Sequence, residues 1–272
     1  MEQHSYQASS PEDAIQHFEP QGFYLVPKLF EHHEIEVIKP TLELFHQNWQ
    51  ADNLEFYQSR AINSAYLTGK KYLPDSKRTS LFEFISHFKL MPYVLTHFDK
   101  PPAFMGTQLF FNPYNPEQKN YWHRDTQYHL DLEQQKQIMQ RSDLLHFRIA
   151  LADEPGIELI PTTHQRWDTE LETNVRLELH GHKHHEALPN AKTIPMSKGD
   201  LLVFSGNMLH RGLYGKNRLA LDVLYCENQN EFLKFVQPDT LPSQEQLTLL
   251  EHPAPFQNSL AHLKSVSKHA KH

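Results

Sequence analysis

Short apolar runs separated by turn signals fill the chain from Phe104 onward, and they restrict the folds that it can adopt. We predict six strands there, at residues 104–111, 121–125, 144–151, 157–160, 201–205 and 219–225. No helical patterns alternate with these runs, so they favour an antiparallel sandwich or barrel over a parallel sheet. A seventh short strand is expected earlier, at residues 22–27.

Helical patterns flank this β region. Apolar residues recur at helical spacing between positions 35 and 49, although Pro40 should kink or divide that helix. Further helices are predicted at 80–98, where Ser80 and Glu83 resemble a capping box, and at 131–141, where Asp131 fits the N-cap.

Length and composition favour a single domain. The chain has 272 residues, of which 39% are hydrophobic, and this is enough for a sizeable core. No repeat or low-complexity linker interrupts it. We therefore predict one domain over 1–272, with a mostly helical part at 1–103, a β core at 104–226 and a helical tail at 227–272.

Charge and cysteine content exclude several classes of protein. The formal net charge is −7 and no block of Lys and Arg occurs, so nucleic acid is not expected as a partner. No apolar run reaches the roughly 20 residues that span a bilayer, and the first ten residues are polar rather than signal-like, which predicts a cytoplasmic protein without a membrane partner. Cys226 is the only cysteine, so a metal site would need His and carboxylate ligands.

Three triplets have the form His-x-Asp, which can supply two ligands to one metal ion from an extended segment: His97 with Asp99, His123 with Asp125, and His129 with Asp131. On a helix, the side chains of residues i and i+2 point about 200° apart. This disfavours His97 with Asp99, which lie at the end of the helix predicted at 80–98. Asp131 is already explained as an N-cap. The predicted strand at 121–125 makes His123 and Asp125 the best candidates.

A more visible cluster, His180 to His185, is a poorer candidate. It lies in a polar stretch outside every predicted strand. We expect an exposed loop there, without the rigid support that a functional metal site needs.

The segment 198–210 supplies a third ligand. It reads as a turn and a buried strand, with His210 just beyond the strand's end. Together with His123 and Asp125 it would form a two-His-one-carboxylate facial triad, which leaves three positions open on Fe(II). Those positions can take a bidentate 2-oxo acid and dioxygen, and Arg218 is placed by sequence to bind the far carboxylate of the acid.

The order of these motifs resembles the phytanoyl-CoA dioxygenase family of Fe(II)/2-oxoglutarate oxygenases. The resemblance rests on Trp-His-Arg-Asp at 122–125, the segment 156–164, and Gly-Asp at 199–200 followed by His210 and Arg218. It implies a double-stranded β-helix (a jelly roll, cupin-like) with flanking helices. It also implies that His123, Asp125 and His210 bind Fe(II), that Arg218 binds 2-oxoglutarate, and that Gln108 contacts the same cosubstrate.

The chain departs from the family's pattern at three places. Arg148 stands where the family often has an aromatic wall of the pocket. Pro-Thr-Thr-His at 161–164 replaces Pro-Gly-Ser-His, so we expect His164 to be a structural hydrogen-bonding residue rather than a ligand. The spacing from His210 to Arg218 is also shorter than is usual.

The resemblance implies an enzyme that uses Fe(II), 2-oxoglutarate and dioxygen to hydroxylate a C–H bond of a small molecule, with release of succinate and CO2. Asp125 disfavours a halogenase, in which the halide takes the place of a missing carboxylate. Two alternatives remain open: a non-catalytic metal-binding jelly roll, and an isomerase or hydrolase that uses the same three ligands. The segments 57–77 and 128–141 are candidate lids over the site.

Overall fold

Two antiparallel sheets form the centre of the fold. The computed structural model describes residues 6–139, 144–228 and 230–269, and the side chains of these residues except 230, 231 and 266–269. The strands in this part of the chain are β1 (Phe23–Val26), β2 (Asn63–Ala65), β3 (Ala103–Phe111), β4 (Leu144–Ala150), β5 (Glu154–Leu159), β6 (Lys192–Met196), β7 (Leu201–Ser205), β8 (His210–Gly212) and β9 (Leu219–Cys226). The large sheet has the order β1-β7-β4-β9-β3-β2, and the small sheet has the order β6-β5-β8.

Helices pack around these sheets. They are α1 (Pro11–Gln21), α2 (His32–Asp52), α3 (Leu54–Ser59), α4 (Asp75–Ile85), α5 (Met91–Leu95), α6 (Leu132–Ile138), α7 (Glu170–Arg176), α8 (Asn230–Leu233), α9 (Gln244–Leu247) and α10 (Ala254–His269). In the described part of the chain, no helix combines the length and apolar character needed to cross a membrane.

The large sheet is buried on both faces because its strands alternate between two cores. In β7, Leu201 and Val203 belong to the main core beneath the helices, whereas Leu202 and Phe204 belong to a second core together with residues of the small sheet. The strand β4 is buried along its whole length. The predicted architecture, a jelly-roll β core with flanking helices, is confirmed.

Most of the predicted strands form. Those at 104–111, 144–151, 201–205 and 219–225 match β3, β4, β7 and β9 to within a residue at each end, and 22–27 contains β1. The strand predicted at 157–160 starts earlier, at Glu154. The sequence patterns missed β2, β6 and β8, which are short or carry exposed polar residues.

The strand predicted at 121–125 is wrong. His123 forms only an isolated bridge to His210, and Asp125 begins a 3₁₀ turn, Asp125–Tyr128. The Asp125 N–H donates to the Gly206 carbonyl at 3.1 Å instead of to a ladder partner, and this turns the chain away from the sheet.

The helix predicted at 80–98 is also wrong, because it is two helices, α4 and α5. Ser80 lies inside α4 rather than at its N-cap, and Pro92 occupies the first turn of α5, where its missing N–H costs no hydrogen bond. Pro40, in contrast, does not divide α2. The buried apolar face of α2 holds the helix together across the lost hydrogen bond.

The N-cap predicted at Asp131 is confirmed. Its carboxylate accepts from the Gln134 N–H at 2.9 Å, and the Gln134 side chain accepts from the Asp131 N–H at 3.1 Å. The helix that it caps, α6, ends at Ile138. The predicted end at Arg141 lies outside the described residues.

Candidate metal centre

Main-chain hydrogen bonds bring the predicted ligands together from distant parts of the chain. The His123 N–H donates to the His210 carbonyl at 3.0 Å, and the His210 N–H donates back at 3.1 Å. This bridge adds His123 to the edge of β8 and places the two imidazole rings 4.2 Å apart, centroid to centroid. The bond from Asp125 to Gly206 then brings the carboxylate beside both rings.

The three side chains converge on one point. Asp125 Oδ1 lies 3.6 Å from His123 Nε2 and 3.7 Å from His210 Nε2. One ligand atom of each residue lies within 4.8 Å of the other two, and in the described residues no other group of three His, Cys, Asp or Glu side chains meets this distance. The structure therefore brings together the residues that the sequence selected.

Both histidines are held in the form that binds a metal. His123 Nδ1 lies 3.1 Å from the Tyr121 carbonyl, and His210 Nδ1 lies 3.0 Å from the Met208 carbonyl. A carbonyl can only accept, so each Nδ1 carries the proton and each Nε2 lone pair faces the centre. Burial lowers the pKa of His123 and lowers the pKa of His210 to about 3, so both rings are neutral at pH 7.

Asp125 is charged despite its position. Burial alone would raise the pKa of Asp125, but the positive charge of His146 holds this pKa well below its usual range. His146 Nε2 lies 2.5 Å from Asp125 Oδ2. Burial would lower the pKa of His146, but the Asp125 carboxylate outweighs this and raises it to about 9.

His146 is the first of a series of buried charged side chains that continues beyond the three candidate ligands. Its Nδ1 lies 3.1 Å from Asp222 Oδ2, and Asp222 Oδ1 accepts from Arg148 Nη1 at 3.1 Å. Arg148 in turn donates to Glu154 Oε1 at 2.9 Å. Arg148 lines the cavity where the family often has an aromatic residue, and its guanidinium is engaged by two carboxylates.

The sequence patterns assigned no role to three of these charged groups, His146, Asp222 and Glu154. One signal was present. His146, Arg148 and Asp222 are polar residues at interior positions of otherwise apolar strands, which is unusual unless the polar groups pair with one another.

Arg218 lines the same cavity as the three candidate ligands. Its side chain is buried, and Nη1 donates to the Phe111 carbonyl at 2.9 Å. Among the described residues Nε has no hydrogen-bond partner, since the nearest carboxylate oxygen, on Glu154, is 3.9 Å away. Burial lowers the pKa of Arg218 to about 10, so the group is still a cation at neutral pH.

A cavity of about 580 Å³ contains the three ligands and Arg218. Gln108 also lines it and accepts a hydrogen bond from Asn63 Nδ2 at 3.4 Å. One part of the cavity wall is apolar and consists of Met105, Ile138, Leu144, Leu224, Phe232 and Phe235. Both candidate lid segments contribute lining residues, among them Ile62 from the first and Tyr128 from the second.

The remaining histidine candidates stay outside the centre. His97 contacts the Tyr24 hydroxyl at 2.9 Å, and His164 lies 3.3 Å from the Glu19 carbonyl. In the cluster 180–185, His182 and His184 each contact a glutamate. The His184 carbonyl accepts from the Trp122 N–H at 2.9 Å, so this loop supports the chain just before His123.

Comparison with known proteins gives a family and a set of structural relatives. A family model described as phytanoyl-CoA dioxygenase (PhyH) matches residues 18–217. No curated protein sequence matches the chain.

Three solved structures share the fold at low sequence identity. AviO1 from Streptomyces viridochromogenes Tue57 is 18% identical, with a TM-score of 0.55 over 86% of this chain and 97% of that one. HygX from Streptomyces hygroscopicus, solved with nickel and 2-oxoglutarate bound, is 14% identical, with a TM-score of 0.56 over 78% and 85%. SnoK, a non-heme alpha-ketoglutarate-dependent carbocyclase from nogalamycin biosynthesis, is 15% identical, with a TM-score of 0.52 over 88% and 97%.

Proposed function

The chain belongs to the phytanoyl-CoA dioxygenase family, and on this premise we propose that it is an Fe(II)- and 2-oxoglutarate-dependent dioxygenase. It would hydroxylate a C–H bond of a small-molecule substrate and release succinate and CO2. The observation that carries the proposal is the cavity in which His123, Asp125 and His210 converge and into which Arg218 also faces. HygX, solved with nickel and 2-oxoglutarate, supports it as a protein of similar fold.

The donor set fits Fe(II). Two neutral imidazole nitrogens and one carboxylate oxygen lie within 4.8 Å of one another, and these are the donor types of the facial triad in non-heme iron oxygenases. Iron bound there, with 2-oxoglutarate and dioxygen, would supply the oxidising power for cleavage of a C–H bond. The protein holds the Nε2 atoms of His123 and His210 toward the ion through their Nδ1 hydrogen bonds.

Arg218 fits the far carboxylate of 2-oxoglutarate. A buried guanidinium with an unpartnered Nε–H lacks a strong acceptor, and a carboxylate supplies two acceptor oxygens in matching geometry. Gln108 lines the same cavity and would add a polar contact to the cosubstrate. Neither alternative explains Arg218 as well, because a structural metal site or a hydrolase needs no carboxylate clamp there.

The apolar part of the cavity would hold the substrate. Leu144, Leu224 and Phe232 are buried and line it, so they would exclude water and contact an apolar portion of the substrate. Hydroxylation is the proposed outcome. Because SnoK is a carbocyclase of similar fold, product analysis by mass spectrometry should look for loss of two hydrogens as well as gain of one oxygen.

Anaerobic titration with Fe(II) and 2-oxoglutarate tests the proposal. We expect a visible charge-transfer band that forms only with both additions, and succinate formation once air is admitted. Asp125→Ala should abolish both signals, whereas Asp131→Ala, which alters a helix cap outside the centre, should preserve them. Tight metal binding without the band or succinate would favour the non-catalytic or hydrolytic alternatives.

A further inference from the structure

We propose that His146 is a positioning residue that leaves Asp125 only one oxygen for the metal, an inference that rests on the proposed function. The two oxygens of Asp125 face different partners. Oδ1 lies 3.6 Å and 3.7 Å from the ligand nitrogens of His123 and His210. Oδ2 instead lies 2.5 Å from His146 Nε2.

Fixed contacts hold His146 in this orientation. Its second ring nitrogen lies 3.1 Å from Asp222 Oδ2, so the imidazole bridges two carboxylates. Ionised carboxylates only accept hydrogen bonds, so both ring nitrogens act as donors. The ring also stacks on Phe204, with the centroids 4.5 Å apart and the planes 13° apart, and the residue is only 3% exposed.

A glycine makes room for the contact between His146 and Asp125. A Cβ at Gly206 would lie 2.9 Å from Asp125 Oδ2 and 3.6 Å from His146 Nε2. The carbonyl of the same glycine accepts from the Asp125 N–H, so this residue both holds the backbone of Asp125 and leaves space for its side chain. Any side chain at position 206 would press on the oxygen that His146 holds.

The consequence concerns the open face of the ion. A free carboxylate can bind a metal through both oxygens, which would use one position that a 2-oxo acid or dioxygen needs. Because Oδ2 is held by His146, Asp125 offers Oδ1 alone. His146 itself does not bind the ion, since both of its nitrogens are already engaged.

Calorimetric titration of 2-oxoglutarate into the Ni(II)-loaded protein, in the absence of turnover, tests this role. His146→Leu removes both donors at similar size and frees Oδ2 to bind the ion, so we expect the affinity of the Ni(II)-loaded protein for 2-oxoglutarate to fall by about tenfold or more. His146→Gln keeps one N–H that can reach Oδ2, and we expect it to recover most of the affinity. His97→Gln replaces a half-buried histidine that contacts Tyr24 instead of the centre, so it is the matched control and should bind Ni(II) and 2-oxoglutarate as the wild type does.

Gly206→Ala provides a second test that removes no charge or donor, in case His146→Leu does not fold. We expect it to weaken 2-oxoglutarate binding to the Ni(II)-loaded protein, as His146→Leu does, and to shift the anaerobic Fe(II)–2-oxoglutarate absorption band. Wild-type affinity in both His146→Leu and Gly206→Ala, or a Gln variant as weak as the Leu variant, would overturn the positioning role. Failure of the wild-type protein to bind Ni(II) would instead contradict the proposed function.

Discussion

Replacement of Gly212 by alanine should weaken 2-oxoglutarate binding without weakening metal binding. An alanine Cβ at this position would lie 2.4 Å from Arg218 Nη2 and 3.2 Å from Cζ. Ordinary contacts are about 3.5–4 Å, so the guanidinium would have to move by about 1 Å. Arg218 has little freedom to do so, because it lies against the rings of Phe110 and Tyr214 and donates to the Phe111 carbonyl.

A displacement of this size should break at least one hydrogen bond to the cosubstrate carboxylate. A hydrogen bond to a charged group contributes about 1.5–3 kcal/mol, which corresponds to a roughly 10- to 100-fold increase in the dissociation constant for 2-oxoglutarate. The assay is calorimetric titration of 2-oxoglutarate into Ni(II)-loaded protein. Gly106→Ala is the matched control, since its Cβ would meet no atom within 4 Å. Wild-type affinity for 2-oxoglutarate in Gly212→Ala would refute the assignment of Arg218.

Three further predictions concern the metal ligand and the stability of the fold. Asp125→Ala should lower Ni(II) affinity by more than the roughly 10- to 100-fold typical of a ligand's partner, and it should also lower thermal stability because the buried His146 loses one of its two carboxylate partners. Asp131→Ala should cost about 1 kcal/mol in urea unfolding and leave Ni(II) binding intact. Arg78→Met should cost about 3 kcal/mol or more in the same unfolding assay, because the buried guanidinium donates to the carbonyls of Thr68 and two other residues, and these would be left unpaired. Burial lowers the pKa of His97 to about 4, whereas the pKa of a histidine in an unfolded chain is about 6.5. As the pH drops from about 6.5 to 4, the unfolded state therefore binds a proton that the folded state does not, and the free energy of unfolding should fall. His97→Gln should reduce that slope by up to about 1.4 kcal/mol per pH unit, and an unchanged slope would argue against a half-buried, neutral His97 ring.

The sequence predicts the long strands well because they are buried and therefore consist mainly of apolar residues, which stand out as continuous runs. The short strands are harder to predict from the sequence. In β8 the residues His210, Arg211 and Gly212 carry no strand-like pattern, and their conformation depends on pairing with β5 and with His123. The helix predicted at 80–98 failed because helical spacing alone does not locate an interruption before Pro92.

The sequence selected His123, Asp125 and His210, which lie together in the structure, although the strand on which the choice of His123 and Asp125 rested does not form. The groups that support them were not predictable. His123 and Asp125 are two residues apart, so local geometry limits where their side chains can point. His146 and Asp222 lie on separate strands, and only the pairing of β4 with β9 places Arg148 opposite Asp222 and brings His146 within reach. Such long-range register is not visible in local sequence.

An anaerobic crystal structure with Fe(II) and 2-oxoglutarate tests the central claim most directly. We predict iron bound to His123 Nε2, Asp125 Oδ1 and His210 Nε2, with Asp125 Oδ2 still hydrogen-bonded to His146 and the far carboxylate of 2-oxoglutarate against Arg218. Iron bound at another set of residues, or 2-oxoglutarate bound away from Arg218, would contradict the account.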